Sequence, residues 1–312
     1  MTALLDVILP VFLILGFGYV AAWRGIVNEA AVDGVMKFAQ NFAVPCLLFR
    51  SISRLDLGAA YDPGLMISFY AGSFGAAGLA YAGARLIFGR TPTDALAIAF
   101  VASFSNTLLL GLPITERAYG PEALAGNYAI ISVHSPLLYA VGISLMEMLR
   151  SKGRGLAKPA LAAQILRAIF TQPLVVGIMA GLLVNLTGLA LPGVVWAAID
   201  MMVLAAIPAA LFGLGGVLLR YRPEGDMRTI AMVCALSLLV HPAITYGLGR
   251  FGFGLSVDQL RSAVVTGAMA PGVNAYLFAN MYGAAKRVAA STVLLATAAT
   301  ILSGWFWLQI LP

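Results

Sequence analysis

The sequence predicts an all-α polytopic membrane protein: ten transmembrane helices in two inverted five-helix repeats, with broken, crossing helices four and nine. Three observations predict it. Of 312 residues, 61% are hydrophobic and only 10% are charged, where a soluble domain carries about 25% charged residues. The apolar residues come in stretches of about 20, the length that crosses a hydrocarbon core of about 30 Å. The two halves of the chain also resemble each other at a fixed offset, and each half holds an odd number of apolar stretches.

The spans fall at about residues 5–23, 35–53, 64–88, 94–117, 123–149, 165–187, 195–219, 228–251, 259–282 and 288–310. The first reads as a span and not as a cleaved signal, because it carries Asp6 and has no basic segment ahead of it. The connections are short and use turn chemistry, as in Asp62-Pro63, Gly120-Pro121 and Leu191-Pro192-Gly193. The longest runs from Arg150 to Pro159 and is basic. It divides the chain into a first repeat over 1–149, a linker over 150–163 and a second, inverted repeat over 164–312. Pro10, Pro45, Pro136, Pro173, Pro208 and Pro242 read as helix kinks. Gly72, Gly75 and Ala76 in the third span read as a close-packing face.

Topology follows from the cations. With the N-terminus outside, 14 of the 19 Lys and Arg residues fall on the cytoplasmic side, among them Lys37, Arg150, Arg220 and Lys286. Both termini then face out. At an offset of 163 residues, Pro10 pairs with Pro173, Gly18 with Gly181, Pro45 with Pro208 and Phe49 with Phe212. Phe88-Gly89 pairs with Phe251-Gly252, and Tyr119-Gly120 with Tyr282-Gly283. Five spans per repeat forces the second repeat to enter the membrane upside down. Inverted repeats with a binding site at their midplane interface are an architecture of secondary transporters.

All 13 acidic residues lie in loops or near span ends, and no Lys or Arg sits near a span centre. Ionisable groups at the bilayer centre are costly and usually functional. Their absence argues against a cation antiporter working through buried carboxylates, an intramembrane aspartyl protease and a zinc site of the HExxH type. Cys46 and Cys234 read as packing residues, so no cofactor or metal is expected. The net charge of +6 is spread over loops on one side, which does not suit nucleic acid.

Mid-membrane polarity gathers instead in two spans. The fourth contains Asn106-Thr107 followed by Gly111-Leu112-Pro113, and the ninth contains Pro271-Gly272-Val273-Asn274. Proline removes a backbone donor, and glycine lets the chain leave the helix. Unwound backbone is tolerated at membrane depth only where it is buried or lines a cavity. A half-helix N-terminus at the midplane offers free N–H groups and a positive dipole end, which favour an anion. Asn106 and Asn274 add neutral amides. His134, near the centre of the fifth span, is either a neutral packing residue or a proton-linked switch.

At these residues the sequence resembles the auxin efflux carrier family, whose bacterial branch includes proteins assigned as malonate transporters. The resemblance is carried by Asn106-Thr107 through Gly111-Leu112-Pro113-Ile114 with Tyr119-Gly120, and by Pro271-Gly272-Val273-Asn274 through Tyr282-Gly283. It implies an elevator-like carrier. Spans one, two, six and seven would form a scaffold that often dimerises, and the remaining six a moving unit. It implies lining residues at Asn106, Thr107, His134, Tyr139 and Asn274, beside a crossover at Gly111, Pro113, Pro271 and Gly272. The long hydrophilic loop of plant members and the charged pair of their third helix have no counterpart here.

The resulting expectation is a secondary carrier of small carboxylate anions such as malonate, in a bacterial inner membrane, and not an enzyme. Coupling to a proton or to sodium is left open. The alternatives are a sodium-coupled organic-anion symporter of the bile-acid type and, from another class, an intramembrane hydrolase using a serine with His134.

Overall fold

The computed structural model describes residues 3–150 and 158–312, and it is helical from end to end with no strand among them. The first half comprises α1 (Leu9–Trp23), α2 (Glu29–Phe38), α3 (Val44–Ile52), α4 (Leu57–Ala60), α5 (Pro63–Leu86), α6 (Pro92–Ser103), α7 (Leu112–Tyr119) and α8 (Ala125–Arg150). The second comprises α9 (Lys158–Phe170), α10 (Pro173–Thr187), α11 (Gly193–Leu218), α12 (Met227–Ala235), α13 (His241–Gly247), α14 (Val257–Gly267), α15 (Val273–Tyr282) and α16 (Lys286–Ile310). Six continuous helical stretches are long and apolar enough to cross a membrane, and α9 with α10 makes a seventh if the bent pair counts as one.

The sixth expected span, 165–187, is not one rod. α9 and α10 meet at 81° across Thr171-Gln172, because Pro173 cannot continue the donor ladder of α9. The basic run at 151–157 lies outside the described residues. The fourth and ninth spans are likewise split, α6 from α7 and α14 from α15, which is why neither passes as a single long helix.

The expected kinks take a specific form. Single π-helical turns lie immediately before Pro10 (Ala3–Ile8), Pro45 (Ala39–Ala43), Pro113 (Thr107–Gly111) and Pro242 (Leu236–Val240). A proline ring clashes with the carbonyl of the preceding turn, and widening that turn relieves the clash without ending the helix. Pro136 and Pro208 sit inside regular α-helix instead.

Close packing in this chain rests on glycine. In lipid the helices gain no hydrophobic drive from meeting each other, so small residues that admit backbone contact decide which pairs form. A Cβ on Gly18 of α1 would run into the Phe212 carbonyl of α11, and one on Gly181 of α10 would sit 2.9 Å from the Phe49 carbonyl oxygen of α3. These are the residue pairs related by the 163-residue offset. Thus α1 packs on α11 as α10 packs on α3. Outside these contacts Phe17, Leu186, Met201 and Leu204 are exposed, a surface that suits acyl chains. Asp226, in the turn before α12, accepts from the Thr229 hydroxyl and from Arg90. Those bonds, the Thr229 one foremost, hold its carboxyl below the usual carboxylate range.

Candidate functional site

The two interrupted helices run antiparallel and cross at their breaks. At one end the Ser262 hydroxyl of α14 donates to the Ala123 carbonyl, and Arg261 lies over the Tyr119 ring at 4.2 Å. At the other end the Ala285 N–H donates to Asp94 at the start of α6. In the middle the Asn106 N–H donates to Ala270 O at 2.8 Å, and the Gly272 N–H to Phe104 O at 2.9 Å. This two-bond bridge pairs Ser105 with Pro271 in antiparallel fashion. A Cβ on Gly272 would lie 3.6 Å from Asn106, an ordinary van der Waals contact, so the two segments pack closely without the position demanding glycine.

Breaking a helix inside lipid leaves orphan backbone groups, and each must find a partner. The Ser73 hydroxyl of α5 donates to Ser103 O, and the Thr300 hydroxyl of α16 accepts from the Ala270 N–H. Asn106 caps the second half of the fourth span, its Oδ1 accepting from the Leu109 N–H at 3.1 Å. Its Nδ2 is left without a protein partner among the described residues. Gly272 supplies no side-chain cap to α15. Among the described residues the N–H groups of Leu108, Val273 and Asn274 therefore have no protein acceptor.

Those three residues face one cavity of about 70 Å³, between the crossover, α2–α3, α8 and α9–α10. A single water needs roughly 10–15 Å³ by this measure, so the space admits several waters or one small molecule. Its polar lining is Gln40, Ser105, Asn106, Thr107, Ser135, Gln172 and Asn274, with no Asp, Glu, Lys or Arg. Two helix N-termini and neutral amides in a low-dielectric hollow attract an anion without committing a buried cation.

Five residues named from the sequence do not line this cavity. Gly111 packs on Thr266, and Pro113 is buried in the second half of the span. Pro271 is taken up by the bridge to Ser105. Tyr139 reaches the site from behind, its hydroxyl donating to Asn274 O at 3.3 Å. His134 is buried among Phe69, Tyr70 and Phe104, with ring centroids 4.8–6.2 Å away. His241 meets the same Phe69 ring at 5.0 Å, and among the described residues no side chain pairs with a ring nitrogen of either histidine.

A lining role and a switch role for His134 are thus separate matters. No carboxylate packs against this aromatic box among the described residues, so nothing there compensates an imidazolium. His134→Gln is expected to leave the pH profile of transport unshifted, measured as initial uptake from pH 5 to 8. A displaced profile would restore the switch.

Sequence reasoning missed Gln40, Ser135 and Gln172. The signal was present: Gln40 is a polar residue inside an apolar run, and Gln172 precedes the proline that bends the sixth span. Only the bend brings Gln172 to the crossover.

An all-helical apolar chain whose two broken helices cross at a polar hollow is a membrane transport protein in architecture. The comparisons agree. The profile of the family described as "Membrane transport protein" matches residues 3–308. The chain belongs to this family, that of the auxin efflux carriers. It is 23% identical over 299 residues to a Rhizobium meliloti (strain 1021) protein named "Putative malonate transporter", covering 95% of this chain and 92% of that one. It is 25% identical to an "Uncharacterized transporter" of Methanothermobacter thermautotrophicus, over 85% of this chain and 86% of the relative. The Escherichia coli (strain K12) "Uncharacterized transporter YfdV" is 22% identical over 97% of this chain and 96% of its own.

Proposed function

We propose that this chain is a secondary carrier of small carboxylate anions, malonate or a related organic acid, bound at the α6–α7/α14–α15 crossover. One observation carries the reading. Unpaired N–H groups at the N-terminal ends of both half-helices open on a single cavity that holds no charged side chain. A carboxylate accepts from such groups as an anion does at any helix N-terminus. Asn106 Nδ2 and the Thr107 and Ser135 hydroxyls add donors. The name of the Rhizobium meliloti relative points to the same substrate class.

The ten-span inverted repeat belongs to this proposal. The split fourth and ninth spans, each read as one crossing, and the mirrored Gly18–Phe212 and Gly181–Phe49 contacts support it. The cavity lies where α2–α3 and α10 meet the crossover unit, so a movement of one bundle against the other carries the bound anion between the two sides. Gln40 and Gln172 line it, a few residues along the chain from Lys37 and Arg167. In this reading the chain lies in a bacterial inner membrane with both termini outside. Pairing of two copies through the scaffold helices is compatible with their exposed apolar faces.

The test is uptake of radiolabelled malonate, succinate, benzoate and taurocholate into proteoliposomes, with pH and sodium gradients varied independently. Saturable uptake of a small dicarboxylate, competed by its analogues, is the expected result. Transport of none of the anions would end the proposal. Strict sodium dependence with taurocholate preferred would replace it with the bile-acid symporter reading.

A further inference from the structure

A second concavity, of about 200 Å³, lies away from the crossover, where the turn after α11 meets the start of α16. Arg220, Arg222, Lys286 and Arg287 line it, with Glu224 as the one acidic side chain. Arg220 is paired with Asp33 at 2.8 Å. The side chains of Arg222, Lys286 and Arg287 make no ion pair or hydrogen bond among the described residues. Three cations without an ion-pair partner among the described residues thus line one recess, beside a single carboxylate.

The recess is built, and is not merely a basic loop. The Ser291 hydroxyl of α16 lies 2.8 and 2.7 Å from the Arg222 and Glu224 carbonyl oxygens, which share its one proton, and it accepts from the Glu224 N–H. Gly225, at φ +109°, turns the segment back over Arg287. The floor is formed by Tyr221 and Tyr276, ring centroids 4.9 Å apart. Burial, ahead of the neighbouring Tyr276, raises the pKa of Tyr221, so its hydroxyl stays protonated as a donor. Tyr276 belongs to α15, the half-helix whose N-terminus opens on the crossover cavity.

We propose that this recess binds a phosphate group, carried on the headgroup of an anionic phospholipid or as free phosphate. Guanidinium forks match phosphate oxygens in pairs, and an ammonium adds a point charge. The recess sits at the helix ends, where the headgroup layer lies, and clustered cations there attract anionic lipid. An anion seated on Arg222, Tyr276 and Arg287 would tie α15 and α16 to the turn after α11. The site is independent of the carboxylate reading, since none of its residues lines the crossover cavity.

The test compares the parent with two triple variants of equal charge change. One is Arg222→Gln/Lys286→Gln/Arg287→Gln in the recess, and the other is Arg24→Gln/Lys37→Gln/Arg167→Gln elsewhere on the same face. Phosphatidylglycerol retained by the purified protein is counted by native mass spectrometry. In lipid-free neutral detergent, the melting temperature is followed as inorganic phosphate is added. The recess variant is expected to retain at least fivefold less phosphatidylglycerol, or to lose the phosphate-dependent rise in melting temperature, while the other triple matches the parent. The arm that responds identifies the source of the phosphate. The single variant Lys286→Gln, with about a threefold loss, serves if the triple does not fold. The proposal is overturned if the parent binds neither probe, if the recess variants bind as the parent does, or if both triples lose binding equally.

Discussion

Asn106→Asp is expected to abolish transport while the protein folds as before. Asparagine and aspartate are equally good N-caps, so the bond to the Leu109 N–H survives the exchange. What changes is the other half of the side chain. The Nδ2 donor facing the cavity becomes a carboxylate oxygen, in a hollow that otherwise holds no charge. Two like charges about 4 Å apart repel by about 4 kcal/mol at an effective dielectric of 20, or roughly three powers of ten in binding. Asn106→Ala is milder, losing a cap worth about 1 kcal/mol and a donor to an anion worth about 1.5–3 kcal/mol. Uptake should rank parent, Ala, Asp, with near-parental melting temperature for Asp. Parental uptake by the Asp variant would remove Asn106 from the anion site and leave it a capping residue only.

The second large effect concerns folding. Gly215→Val is expected to prevent α11 from seating on α1. A Cβ there meets the Leu15 carbonyl oxygen and lies 2.8 Å from the Tyr19 nitrogen, both backbone atoms that cannot rotate away. Overpacking typically costs 1–3 kcal/mol where side chains can adjust, and here the axes themselves must part. Gly16→Ala on the same α1 is the control, with nothing within 4 Å of the added methyl. It should be neutral or slightly stabilising, because alanine is favoured over glycine in a helix by about 1 kcal/mol. Monodisperse yield and melting temperature in detergent decide the matter. A Gly215→Val variant as stable as the parent would show that the α1–α11 contact is not where the scaffold gets its strength.

Much of the crossover was legible in one dimension because its causes are local. Pro271 removes a backbone donor whatever surrounds it, and Asn106 is three residues before the N–H it caps, whereas Pro113 lies within continuous helix past the actual break at 104–106. The apolar lengths and the placement of charge are also properties of the chain alone. His134 and Tyr139 were less legible. Both are mid-span polar residues, and sequence does not say which way a helix faces. The structure turns His134 toward Phe69 and Tyr139 toward the Asn274 carbonyl.

By itself, then, the sequence determined that the chain is apolar enough to live in lipid, where its helices break and that no charge waits at the breaks. These follow from composition and from the backbone chemistry of proline and glycine, which act within a turn. Tertiary structure alone decided that the two breaks meet, which amides the meeting consumes and which it leaves open. It also decided that the 81° bend at Pro173 delivers Gln172 to the cavity. The reason is that a backbone donor 164 residues from its acceptor, Asn106 N–H to Ala270 O, has no signature in either neighbourhood. Such a pair exists only once helix packing, set by close approaches such as Gly18 on Phe212, has brought the strands of the crossing together.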